Sequence, residues 1–109
     1  MYVSVTGLKL RGWRQAPLFW WHAVRSLMAA RRTPGNLSAT SRQVDGWQHT
    51  LTEWEDRAAM RRFVACTAHR GAMGVAGKLG VSRTCGFETD HAPGWDKALT
   101  HWRMHAREY

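Results

Sequence analysis

The sequence predicts an α+β fold in which four antiparallel strands form one sheet that carries its helices on one face. Three observations point there. Polar and apolar residues alternate along four short stretches, bulky residues recur at helical spacing between them, and an Asp45-Gly46 pair separates two of the alternating runs. At 109 residues, with 44% hydrophobic and 22% charged positions, the chain suits one domain with one core and is too short for two.

The stretch YVSVTGLKL, from Tyr2 to Leu10, carries Tyr, Val and Thr in near alternation and reads as the first strand. Pro17 then supplies the fixed φ of a helix start. Trp20, Val24, Leu27, Met28 and Arg31 recur at helical spacing until Pro34-Gly35 stops the run, and the helix is expected to bury that bulky stripe. NLSATSRQV, from Asn36 to Val44, and WQHTLTEW, from Trp47 to Trp54, should pair as a hairpin, because Asp-Gly accepts the positive φ angles of a tight turn. In the second run Trp47, His49, Leu51 and Glu53 point one way, while Gln48, Thr50, Thr52 and Trp54 point the other.

Asp56 is a suitable N-cap for a second helix with the stripe Ala59, Met60, Phe63 and Val64. Gly71, Gly74 and Gly77 each cost about 1 kcal/mol inside a helix. The stretch from Ala68 to Leu79 is therefore either a weak helix broken from the second or one whose small face permits close packing, and Gly80 ends it. VSRTCGFET, from Val81 to Thr89, reads as the fourth strand, with Val81, Cys85 and Phe87 sharing a face. After a loop from His91 to Gly94, a third helix is expected from Trp95 to Arg107, with Trp95, Ala98, Leu99, Trp102 and Ala106 on one side. This order is two split βαβ halves, the ferredoxin-like arrangement. Helices on one face leave the other to be covered, and a twin subunit would do so, giving a homodimeric α+β barrel.

Composition narrows the partners. The segment Met1 to Leu10 lacks the charged start and apolar run of a secretory signal. The longest apolar cluster, Pro17 to Val24, is broken by His22 and is far shorter than the roughly 20 residues a bilayer needs. A membrane partner is therefore not expected, and Cys66 and Cys85 are expected as free thiols in a cytoplasmic protein. The net charge of +8 raises nucleic acid as a partner. The bases are scattered, however, with adjacent pairs only at Arg31-Arg32 and Arg61-Arg62, so nucleic acid is not the expected ligand.

The stretch HTLTEWEDRAAMRRFVACTAHRGAM, from His49 to Met73, joins a strand ending in Glu-x-Trp-Glu to a helix with Ala-Met and Phe and then to a His. It resembles the third-strand and second-helix signature of the dimeric α+β barrel proteins, in the branch of the antibiotic-biosynthesis-monooxygenase-like proteins. Arg31 to Gly35, RRTPG, resembles the helix-to-strand joint of the spheroidene-monooxygenase-like branch. The resemblance implies a monooxygenase-like oxidoreductase, cofactor-independent or haem-dependent. Cofactor-free members pair an Asn and a Trp four residues apart on the third strand; Trp54 matches the Trp, and Thr50 stands where the Asn would be. The haem-degrading branch uses an Asn on the first strand and a Trp and a His on the second helix. The matching positions here are Thr6 or its neighbour, Phe63 and Met73, and all three depart. No cofactor is thus the leading expectation, with haem in a different pose left open.

The candidate site lies between sheet and helices. His69 is the candidate for acid-base work, since imidazole titrates near neutrality, with Trp54 and Thr50 beside it as the other catalytic candidates; His69 could equally pack the kink before the Gly-rich segment. Trp20, His22, His49, Phe63 and Met73 are candidates for holding a small-molecule ligand. An aromatic stripe at helical spacing is also what a core helix shows, although seven Trp exceed what one small core can hold. His101 and His105 have the spacing at which two imidazoles can share a metal, yet no Glu accompanies them as in zinc proteases, and no metal is expected. Two functions follow: a monooxygenase-like enzyme acting on an aromatic or apolar metabolite, or a non-catalytic, ligand-binding or stress-associated dimer.

Overall fold

The computed structural model describes residues 1–12, 14, 16–66 and 80–108. His69, Met73 and the glycines of the 67–79 stretch lie outside the described residues. Strand β1 (Tyr2–Leu10) leads into helix α1 (Ala16–Arg32), followed by β2 (Asn36–Val44) and β3 (Trp47–Trp54). Helix α2 (Arg57–Val64), strand β4 (Gly80–Glu88), helix α3 (Gly94–His105) and a short strand β5 (Arg107–Glu108) complete the described chain.

The strands form one antiparallel sheet in the order β2-β3-β1-β4-β5. This is the expected ferredoxin-like α+β architecture. The hairpin turns as its sequence demands, with Asp45 at φ 52° and Gly46 at φ 82°. Asp56 caps α2 by accepting a hydrogen bond from the Ala59 amide at 2.8 Å. Gly35, at φ 92°, lets the chain turn from α1 into β2 with the Ala59 methyl close above it; a Cβ at Gly35 would meet that methyl at 2.5 Å.

Period-2 alternation sends the strands' side chains to two faces, and each face has its own core. Val3, Val5 and Leu51 pack with Ala98 and Trp102 of α3. On the other face Trp54 and Ala39 pack with Ala30 of α1 and with Ala59 and Phe63 of α2. Val3, Val5 and Trp54 are fully buried, each worth about 1.5–3 kcal/mol in apolar burial.

Three details depart from the expectations. The helices do not all share one side of the sheet. α1 and α2 cover the Trp54 face, and α3 crosses to the Val3–Val5 face, where the Trp102 indole N–H donates to the Arg83 carbonyl at 2.9 Å. Secondly, α1 does not bury its bulky stripe. Trp20, Val24 and Met28 are exposed, and the small Ala30 is the buried position, because a close approach to β2 favours a small side chain there. Thirdly, α3 stops at His105; the extended Ala106 (ψ 141°) turns the chain into β5, which pairs with β4 at Arg83 and Thr84. No helix among the described residues is long and apolar enough to cross a membrane.

Candidate functional site

The Trp54 face of the sheet is unusual for a covered face because hydroxyls occupy its centre. Pairing of β1 with β3 sets Ser4 opposite Thr52 and Thr6 opposite Thr50, and pairing with β4 sets Thr6 opposite Thr84 and Leu8 opposite Ser82. All these positions are of one parity and therefore share a face. Thr52 and Ser82 are buried. Thr6 and Thr84 share a hydroxyl–hydroxyl hydrogen bond of 3.2 Å, Thr84 donates to the Val5 carbonyl at 3.3 Å, and Thr52 donates to the Ser4 carbonyl at 3.5 Å. Hydroxyls keep acceptor lone pairs after donating once, so this floor can still receive hydrogen bonds.

One end of the floor is aromatic. Trp54 is the last residue of β3; Asp56, two residues on, caps α2, and about two turns further along that helix Phe63 returns over the indole. The two rings stack with centroids 5.4 Å apart at 25°. Trp54 is wholly buried, yet its Nε1–H has no acceptor among the described residues. Leaving a buried donor unsatisfied costs about 1–3 kcal/mol.

The sequence candidates divide between locations. Trp54, Phe63 and Thr50 fall on the same side of the sheet, with Thr50 half-buried in the hydroxyl floor. His22 lies on α1, edge-on to Trp21 at 4.7 Å, with its Nδ1 buried and without a hydrogen-bond partner among the described residues. Trp20 is 47% exposed. His49 stands on the opposite face, buried between Gly7 and Arg42 in the sheet, with its ring edge-on to Trp102 at 4.5 Å. Burial depresses its pKa; the Arg103 charge adds to this, and a hydrogen bond with the Thr6 backbone opposes it. Protonation of His49 is therefore disfavoured relative to a free imidazole, and the ring is separated from Trp54 by the sheet.

His101 and His105 of α3 lie with ring centroids 4.5 Å apart, and His101 also packs on Phe87 at 4.1 Å. Burial, and then the neighbouring His105, lower the His101 pKa. Among the described residues no group of three or more His, Cys, Asp or Glu is placed to hold a metal ion.

Sequence reasoning passed over Ser4, Thr52, Ser82 and Thr84 as site residues. Their signal was present: Ser or Thr recurs at every second position of SVT (4–6), TLT (50–52) and SRT (82–84), and in the first two out of phase with Val5 and Leu51 of the opposite core.

Comparison with solved structures places the fold among antibiotic biosynthesis monooxygenase-like proteins. SnoaB, a cofactor-independent oxygenase from Streptomyces nogalater, matches with a TM-score of 0.69 at 18% identity, covering 86% of this chain and 97% of that one. A protein described as an antibiotic biosynthesis monooxygenase matches at 0.70 and 14% identity, covering 85% of this chain and 100% of that one. Rv0793 from Mycobacterium tuberculosis matches at 0.73 and 10% identity, covering 84% and 98%. At these identities the likeness establishes the fold. No family profile matches the chain, and no curated protein does.

Proposed function

We propose that this protein is a monooxygenase-like enzyme that acts on an aromatic or otherwise apolar metabolite carrying oxygen substituents, held between the hydroxyl floor and helices α1 and α2. The observation that carries the reading is the buried Trp54 Nε1–H, which has no acceptor among the described residues and sits against Phe63 at the end of that floor. A carbonyl or phenolic oxygen of the ligand would accept from Trp54, its ring would stack beside Phe63, and its remaining oxygens would meet Thr50 and Thr6. The neighbour named as a cofactor-independent oxygenase supports the reaction class. In this reading the electrons for oxygen come from an electron-rich substrate ring, and His69 takes the proton that its activation releases.

The homodimer implied by the resemblance belongs to the same reading. Because α3 already lies on the Val3–Val5 face, a twin subunit would meet α3 and the sheet beside it, not a bare sheet. Light scattering on the purified protein measures that mass.

The test of function is oxygen uptake with a panel of phenolic and polycyclic hydroxylated aromatics, with and without the Trp54→Phe substitution. Uptake that requires the aromatic compound and falls at least tenfold in Trp54→Phe supports the reading. No uptake with any compound, while the same compounds still bind, would favour the second reading, a ligand-holding protein without turnover. Thr50 motivates that alternative, since its hydroxyl stands where the oxygenases the chain resembles carry an amide.

A further inference from the structure

Helix α1 is apolar on the side that faces away from the protein. Five of the eight exposed large hydrophobic residues among those described lie on it: Leu18, Trp20, Trp21, Val24 and Met28, with Trp21 56% and Val24 50% exposed. At about 100° per residue, Trp21, Val24 and Met28 form one outward stripe with Pro17, while Leu27 and Ala30 pack into the core on the other side. Isolated exposed hydrophobics are ordinary; a contiguous patch along one helix marks a surface that meets something.

Charge identifies the kind of surface. Residues 1–44 hold seven bases (Lys9, Arg11, Arg14, Arg25, Arg31, Arg32 and Arg42) and no Asp or Glu. Arg25 and Arg32 are exposed on α1 and flank the apolar stripe, and the Arg25 guanidinium lies 4.8 Å from the centre of the Trp21 ring. A second copy of α1 docked on this stripe would bring arginines against arginines with no carboxylate of the helix to pair them. A surface that is apolar beneath and negative on top suits the helix instead, because tryptophan places its ring at the apolar boundary and arginine meets the anionic headgroups.

We propose that α1 seats this protein on the surface of a bilayer containing anionic lipid, with Trp21, Val24 and Met28 entering the headgroup region and Arg25 and Arg32 contacting lipid phosphates. This is peripheral attachment and needs no membrane span. It stands apart from the pocket chemistry, since none of these side chains belongs to the hydroxyl floor.

The test is co-sedimentation of the purified full chain with phosphatidylcholine vesicles and with vesicles of phosphatidylcholine mixed with phosphatidylglycerol. The expected result is partition onto the mixed vesicles that weakens as salt is raised and is much poorer on phosphatidylcholine alone. The double substitution Trp21→Ser, Met28→Ser should lower the partition constant about tenfold or more. Arg25→Gln and Arg32→Gln should each lower it about fivefold, on anionic vesicles only. Because all four side chains point outward, circular dichroism should show each variant folded. Failure to partition at low salt, or equal partition of the Trp21→Ser, Met28→Ser variant, would overturn the proposal. So would a lipid-free dimer that this variant turns into a monomer, which would assign the stripe to a second copy of the chain.

Discussion

Trp102 occupies the space that a side chain on Gly7 would need: a Cβ built at Gly7 would stand 2.4 Å from the indole Cζ2 and 2.9 Å from Cε1 of His49. The glycine of β1 thus admits α3 to the sheet. It lets Trp102 lie flat enough to donate to the Arg83 carbonyl while touching Trp47 and His49 edge-on.

Gly7→Ala is therefore expected to destabilise the fold by about 1–3 kcal/mol, the usual cost of overpacking a rigid core. Both obstructing groups are rings held by neighbours, so neither can yield cheaply. Urea denaturation compares the midpoints at a common slope; an unchanged midpoint would show that α3 does not depend on this close approach.

His49 sets a pH response. Its folded pKa lies below the value of about 6.5 that it has in the unfolded chain, so the unfolded state binds the extra proton first. Stability is then fully present above pH of about 6.5 and declines as pH falls below it, until the folded protein protonates as well. His101 is shifted in the same direction and adds to the slope. Melting temperatures between pH 8 and 5 should fall on acidification, and His49→Gln should flatten the decline. An identical slope in the variant would place the response elsewhere.

Cys85 should be nearly inert. Burial raises its thiol to about 11, and it faces the Val3–Val5 core. At pH 8 about one molecule in a thousand then carries the reactive thiolate at this position. In a Cys66→Ser background, a disulfide reagent at pH 8 should react only slowly with the native protein and promptly after denaturation. Rapid native labelling would contradict the packing of β4 beneath α3.

Removing the α2 cap should cost about 1 kcal/mol. Asp56→Ala loses the acceptor of the Ala59 amide, while Asp56→Asn or Asp56→Ser should restore most of it. Because α2 holds Phe63 over Trp54, the alanine variant should also loosen ligand binding at the proposed site. Thermal denaturation and ligand titration on the same three variants check both effects.

Trp54→Phe distinguishes a functional donor from a merely structural ring. The substitution retains a ring to stack on Phe63 and deletes an N–H that has no partner among the described residues, but it also removes part of a wholly buried indole, so denaturation should show a cavity cost of about 1–3 kcal/mol. Ligand affinity lost in Trp54→Phe at a temperature where the variant is fully folded assigns the nitrogen to the ligand; unchanged affinity would leave the indole as packing alone.

Much of the architecture could be read from local signals. Alternation marked β1 to β4, Asp45-Gly46 marked the hairpin, and Asp56 marked the start of α2; each is decided by backbone sterics and short-range hydrogen bonds. Half of the candidate site was legible in the same way, since the parity of β3 set Thr50 and Trp54 on one face and His49 on the other. The hydroxyl floor was overlooked because it exists only when three strands are laid side by side: Ser4, Thr52 and Thr84 are far apart in the chain and meet through the sheet register.

The residues by themselves determined the elements, their order and the two faces of every strand, because these follow from periodicity and turn geometry within a few positions. Tertiary structure alone decided which face each helix covers. The parity that separates Val3 from Ser4 says nothing about where α3 will land; the gap above Gly7 and the Arg83 carbonyl that receives Trp102 settle it. It also decided which side of α1 turns inward. Helical spacing pointed to the bulky stripe of Trp20, Val24 and Met28 as the inward side, and only the close approach of Ala30 to β2 and Trp54 selected the arrangement that leaves Trp21, Val24 and Met28 outside.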